Sequence, residues 1–248
     1  MSEVKHSSVH QVPPSGVPLV PQLPTSFAPP TPRFSSAISP DPGSEFLAEP
    51  DRYALYIHLG CPWAHRANIV YNLKRLQPLL ALSVVSIHRD QSKSWTYDGS
   101  SGSDATDQVE GVKNMKELYQ KADPAYTGYF SIPLIWDRKK KTIVNSDSGE
   151  IIEMLYSSFD AFLSPELREV NKPGGGLYPE VLRSQIDILS NEIHLDFNWG
   201  TYKCGFAPSP ADYDASMKRL FGRLDEIEKL LGHSKFLLGN HITQPDIM

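Results

Sequence analysis

Two cysteines in 248 residues are too few for a disulfide framework. That excludes the small secreted scaffolds stapled by bridges and makes a reducing compartment the expectation. No apolar run approaches the roughly 20 residues a membrane helix needs. The start lacks the basic segment and apolar core of a secretory signal. Charge is not concentrated either, since 24 basic against 29 acidic residues leave a net charge of −5. That balance points away from a nucleic-acid or membrane-surface partner. The eight histidines are scattered, with no cysteine or carboxylate cluster beside them, so no metal-ligand spacing occurs. The expectation is a soluble, cytoplasmic protein without a metal.

The first 45 residues are also poor in periodicity. They hold ten of the 21 prolines, among them Pro13-Pro14, Pro29-Pro30 and Pro40, and their apolar residues follow neither a helical nor an alternating period. Such a segment cannot bury enough surface to offset chain entropy, which predicts an extended, mobile tail over 1–45. Its serines and few charges would also suit a mitochondrial leader. Arg33 is the only arginine there, however, and the cytoplasm stays the expected location.

From Asp51 a regular pattern is present. Tyr53-Ala54-Leu55-Tyr56-Ile57-His58-Leu59 reads as a strand, and Ile69, Val70, Leu73 and Leu76 recur behind it at helical spacing. Leu82 to His88 predicts a second strand, parallel to the first because a helix joins them. Asp98 to Gly111 is a long Gly/Ser/Asp loop, of the kind that is either functional or disordered. Lys113–Ala122 predicts a short helix. Ile132–Trp136 and Thr142–Val144 predict a hairpin, and Ser148–Phe159 another helix. The order β-α-β-α-β-β-α, over 46–160, is that of a thioredoxin-like domain. After residue 165 no strand is evident. Ile186, Leu189, Ile193 and Phe197 mark one amphipathic helix. Ser209-Pro210-Ala211-Asp212 caps a second, with Met217, Leu220, Phe221, Leu224 and Ile227 on its apolar side. Residues 165–248 therefore read as an all-helical domain. Thr243-Gln244-Pro245-Asp246 is another capping box, so a further helix is signalled at the end of the sequence, and the helical domain is expected to be incomplete.

Cys61 stands where the first strand meets the first helix. Unpaired N–H groups and the positive end of the helix dipole favour a thiolate there, and Pro62 suits the first helical position. Such surroundings can lower a thiol pKa from about 8.5 to between roughly 3.5 and 7.5. The alternative, a buried structural cysteine, is the commoner fate of a lone Cys, but the strand–Cys-Pro–helix context favours reactivity. Ala64 occupies the place of a second sulfur in a Cys-x-x-Cys pair, so the site reads as monothiol, suited to mixed disulfides.

The chain resembles the glutathione transferases, and more narrowly the glutathionyl-hydroquinone reductases of the Xi class, which are related to the Omega class. The resemblance runs from about Phe46 to Ile247. Its carriers are Cys61-Pro62-Trp63-Ala64-His65-Arg66, Trp95-Thr96-Tyr97-Asp98, Ile132-Pro133-Leu134-Ile135-Trp136-Asp137, Thr142-Ile143-Val144-Asn145, Gly149-Glu150-Ile151-Ile152 and Thr201-Tyr202-Lys203-Cys204-Gly205-Phe206-Ala207. Six matches in order over two hundred residues make it specific.

That resemblance implies a thioredoxin-like domain followed by an all-α glutathione-transferase-type domain, and glutathione as co-substrate. It implies that Cys61 removes glutathione from S-glutathionyl-hydroquinones through a mixed disulfide. Tyr202 would line the acceptor pocket and assist the proton transfer. Trp95 would contact glutathione, Pro133 would be the cis-proline that turns the Ile132 backbone toward it, and Asp147 with Ser148 would hold its γ-glutamyl end. The family usually has Glu-Ser-Ser-Glu where this chain has Asp147-Ser148-Gly149-Glu150. For Asp147-Ser148 a plain helix cap, for Trp95 a loop anchor and for Tyr202 a core tyrosine are the structural alternatives. Partners implied are glutathione and glutathionylated hydroquinones or similar aromatics, with full-length relatives homodimeric. Two other functions stay open: Omega-like thioltransferase or dehydroascorbate reductase activity, and a non-catalytic binding module.

Overall fold

Strand β1, Tyr53–His58, is buried along its whole length, and it lies second in a four-stranded sheet of order β2-β1-β3-β4. A strand covered on both faces needs the near-continuous apolar run this one has. The computed structural model, which describes residues 33–92 and 94–248, pairs β1 in parallel with β2 (Leu80–Val85) and antiparallel with β3 (Leu134–Asp137). Helix α1 (Pro62–Leu73) makes the crossover between the parallel pair. Strand β4 (Thr142–Asn145) completes the hairpin with β3, and α2 (Met115–Ala122) and α3 (Ser148–Ser157) follow their strands as the periodicity predicts. The α/β layer is the thioredoxin-like arrangement expected.

One expectation about an irregular segment is corrected, and for another an open alternative is decided. Residues 1–32 lie outside the described residues, but 33–45 are not a free tail. Ser36 N–H donates to the Val144 carbonyl (3.0 Å), the Asn145 amide returns a bond to the Ser36 carbonyl (2.9 Å), and Ser158 Oγ donates to the Ile38 carbonyl (2.9 Å). Ile38 is buried against Met154 and its neighbours. A segment without its own period is ordered here because it covers the open edge of β4. The Asp98–Gly111 loop is ordered as well. Buried Asp107 accepts bonds from the Val109, Glu110 and Val112 N–H groups and from Tyr56 and Ser83, so one carboxylate ties the loop to β1 and β2.

Five short 3₁₀ turns carry the chain from Asp160 to Leu182. Lys74, 1% exposed, reaches from the end of α1 to Asp160 (2.6 Å) and Glu169 (2.9 Å) and fastens this connector to the sheet layer. The rest is helical: α4 (Arg183–Glu192), a π-helical stretch (Ile193–Asn198), α5 (Trp199–Gly205) and α6 (Pro210–Leu231). Ile186, Leu189 and Ile193 are buried as their spacing predicts. On α6 only Leu220 is buried, and Phe221 is 53% exposed. The physical reason is that α6 packs mainly on α5 and the π-helical stretch, with Leu220 against Gly200. The box at Thr243–Asp246 forms as read, and Asp246 also accepts the Leu237 N–H (2.8 Å).

Candidate active site

Strand β1 delivers the backbone to Cys61, which takes an extended conformation as the N-cap residue of α1. Its N–H donates to the His58 carbonyl (3.0 Å) and its carbonyl accepts the His65 N–H (2.9 Å), so the residue is pinned on both sides. The side chain caps nothing. Instead Sγ lies 3.6 Å from the Ile132 carbonyl, a weak S–H donor contact that suits a protonated thiol.

Ile132-Pro133 is a cis peptide, as the family resemblance implies. Both residues line a cleft of ≈ 510 Å³ together with Ser131, Asp147, Ser148, Trp63, His194 and Trp199. Asp147 is the N-cap of α3: its Oδ1 accepts from Gly149 N–H (2.8 Å) and Glu150 N–H (3.0 Å). It is thus the helix cap that residue type and position suggest. Both bonds fall on one oxygen, Oδ1, and the residue itself lines the cleft. Ser148 follows as the first helical residue, where the helix presents its N–H and positive end.

The same cleft is also lined by an aromatic group built mainly from the helical domain. Trp63, the second residue of α1, sits 5.0 Å from Trp199 and 5.9 Å from Tyr202, centroid to centroid. Its indole N–H donates to the Tyr202 hydroxyl (2.8 Å), which joins the two domains at the site. Tyr202 also lines a smaller adjoining pocket of ≈ 270 Å³ with Pro62, Arg66, Phe197, Thr201 and Met248. Burial pushes its phenol pKa up, and Cys61 adds to that, so the hydroxyl keeps its proton at neutral pH.

The electrostatics of Cys61 differ from the sequence expectation. Burial pushes the thiol pKa up, against the N–H groups of Ala64 and Trp63 and the charge of Arg66, which pull it down. The forces read from the helix terminus are present, but desolvation outweighs them. Arg66 is itself buried, 3% exposed, with its guanidinium 4.8 Å above the Trp63 ring and Nη2 donating to the Met248 oxygen (2.9 Å). Burial pushes its pKa down to about 10, with Asp147 and Cys61 opposing, so it stays charged at neutral pH. The structure turns it inward.

Of the residues singled out from sequence, Ile132, Pro133, Asp147 and Ser148 share the cleft, Cys61 touches it through Ile132, and Tyr202 touches it through Trp63. Trp95 does not line it. Its ring lies 4.6 Å from the His58 ring with the Arg89 guanidinium 3.9 Å above it, which anchors the loop after β2. Cys204 is half-buried in α5. Sequence reasoning missed His194 and Trp199. They stand five apart, a spacing that puts two side chains on different faces of an α-helix. The π-helical turn brings them together, and no sequence period announces it. Arg33 and Tyr126 also line the cleft, and Arg33 was hidden inside the presumed tail.

Residues 60–158 match the glutathione S-transferase N-terminal domain family. The chain is similar to the glutathionyl-hydroquinone reductase YqjG of Escherichia coli, with 39% identity over 202 residues, 82% of this chain and 59% of that protein. It therefore spans about three fifths of that relative's length. Among solved structures it is similar to the glutathione-S-transferase Xi of Phanerochaete chrysosporium, with a TM-score of 0.82 and 35% identity, covering 89% of this chain and 72% of that one. It is also similar to the glutathione-bound structure of YqjG, with a TM-score of 0.77 and 37% identity over 86% of this chain and 69% of that one.

Proposed function

This chain belongs to the glutathione S-transferase family, in its Xi class, and on that footing we propose that it removes glutathione from S-glutathionyl-hydroquinones by way of a Cys61 mixed disulfide. The observation that carries the reading is one arrangement. A single thiol at the head of α1 lies against the Ile132 carbonyl, at a cleft whose one wall offers peptide contacts and whose other wall is aromatic. A tripeptide suits the first wall. Its backbone pairs at Ile132, its γ-glutamyl carboxylate meets Ser148 at the start of α3, and its ammonium meets Asp147 Oδ2. A planar ring suits Trp63 and Trp199 on the second, with Tyr202 bonded to Trp63 in the adjoining pocket.

The step balances without an outside redox agent. The bond formed is between Cys61 Sγ and the glutathione sulfur, and the bond broken is between that sulfur and the ring carbon. The sulfurs are oxidised to the disulfide, and the ring carbon is reduced from C–S to C–H. With the ring in its keto tautomer, the proton already sits on that carbon. The C–S electron pair then runs to the neighbouring oxygen as the ring becomes aromatic, and the oxygen takes up the proton that the thiol loses. A raised thiol pKa fits this route, because the Cys61 proton is retained until the substrate that consumes it is bound. A second glutathione then attacks the mixed disulfide, leaves as oxidised glutathione and returns Cys61 to the thiol.

The test is a turnover assay with a glutathionylated hydroquinone, paired with mass spectrometry of the enzyme quenched before the second glutathione is added. The expected result is free hydroquinone and one glutathione adduct, on Cys61. No hydroquinone release, or an adduct confined to Cys204, overturns the reading.

A further inference from the structure

His194 stands in the π-helical turn with its ring half-buried beside the adjacent pair Trp63 (5.7 Å) and Trp199 (6.0 Å), both met edge to face. The Trp199 indole N–H donates to its Nε2 at 2.8 Å. An indole nitrogen can only donate, so Nε2 must carry a lone pair and the ring proton must sit on Nδ1. The same bond resists protonation, because a proton on Nε2 would set two donors face to face. The groups around it agree. Burial and then the Arg66 charge from α1 lower the imidazole pKa, as does Lys203 from α5, while Asp147 at the cap of α3 opposes them. The ring lines the same cleft as Ile132, Pro133, Asp147 and Ser148. Nδ1–H bonds to none of the described residues, and it belongs to the one imidazole on the cleft's aromatic wall.

We propose that His194 is a catalytic residue, a neutral donor of fixed tautomer whose Nδ1–H holds the ring oxygen on which charge collects as the carbon–sulfur bond breaks. The assignment rests on the functional reading above and deepens it by naming the group that receives the aromatic half. A preset donor aimed at developing charge needs no rearrangement at the moment of reaction. A neutral imidazole serves better here than a cation, since it does not hold the phenolate product tightly. Trp63 and Trp199, both beside the ring, offer the apolar surface that a hydroquinone needs. The substrate class follows: aromatics with an oxygen adjacent to the glutathionylated carbon should react, and thioethers without one should not.

The test has a ground-state arm and a kinetic arm, both on the full chain. In ¹⁵N-histidine spectra, His194 should show a protonated Nδ1 and a bare Nε2 at pH 7 and stay neutral below the ordinary imidazole range of about 6.5, and Trp199→Phe should raise the pH at which the ring becomes charged. A protonated Nε2, or an imidazolium at pH 7, overturns the proposal. In turnover with a glutathionyl-hydroquinone, His194→Phe should lower kcat roughly 10²-fold. Mixed-disulfide formation from oxidised glutathione should be unchanged, and His194→Asn should recover part of the loss through its own N–H. Undiminished turnover in His194→Phe, or equal loss in both half-reactions, overturns the donor alone. A wild-type chain that forms the mixed disulfide but never releases hydroquinone overturns the functional reading and the donor with it. Should His194→Phe fail to fold, Trp199→Phe decides: its kcat should fall with pH as the freed imidazole becomes charged, and a profile parallel to wild type counts against the proposal.

Discussion

Asp147 is asked to do two things, and its two oxygens allow them to be separated. Oδ1 takes two backbone N–H groups at the start of α3, whereas Oδ2 is the oxygen proposed to meet the glutathione ammonium. Asp147→Ala removes both functions. Loss of an N-cap side chain costs about 1 kcal/mol of stability, within a range of 0.5–2. Asp147→Asn keeps an oxygen for the cap, and Asn is as good an N-cap as Asp. It forfeits only the charge at the helix terminus, worth about 0.3–1 kcal/mol. For glutathione the order reverses, because Asn puts an NH₂ where the ammonium should bind. A hydrogen bond between charged groups contributes about 1.5–3 kcal/mol, so Kd should rise roughly 10- to 150-fold in both variants. Urea denaturation should then rank the stabilities wild type, Asn, Ala, with Asn the closer to wild type. Calorimetric titration with glutathione should place Asn beside Ala. Wild-type affinity in Asp147→Asn would reduce Asp147 to a cap. A stability loss in Asp147→Asn equal to that in Asp147→Ala would refute the capping argument itself.

Cys61 alkylation should accelerate with pH and level off only above the ordinary thiol range of about 8.5, since burial raises its pKa; a plateau near neutrality contradicts this. Cys61→Ser should abolish the mixed disulfide with glutathione, and Cys204→Ser should keep most activity. Tyr202→Phe should lower hydroquinone turnover by roughly 10²-fold or more while sparing the mixed disulfide, and equal losses in the two assays would make Tyr202 a packing residue. Asp137, fully buried, accepts bonds from Arg52 (3.0 and 2.6 Å) and from the Lys139 and Lys140 N–H groups. Burial pushes its carboxyl pKa up, but those bonds together hold it below its ordinary value. Its contribution to stability is therefore present above the ordinary carboxyl range and lost as pH falls through the folded value. Asp137→Asn should cost about 3 kcal/mol or more at pH 7 and flatten the acid limb of a Tm-against-pH curve. An unchanged acid limb would show that other carboxylates govern it.

The order of elements from β1 to α3 was legible because each is short and carries its own period, and Cys61-Pro62 and Asp147-Ser148 announce helix starts by local chemistry alone. The cis-proline was legible as well, through a motif rather than a period. Three matters were decided elsewhere. Whether Cys61 is ionised depends on a balance between a helix terminus, which is local, and desolvation, which is set by everything packed around the sulfur. Whether residues 33–45 are ordered depends on an exposed edge of β4 that lies more than a hundred residues away. The pairing of His194 with Trp199 requires a π-helical turn, which packing imposes and propensity does not encode. Sequence by itself thus determined the elements, the thiol and the caps, since these follow from neighbours along the chain. Tertiary structure alone decided which groups share the cleft and in what protonation state, since burial and long-range contact set both.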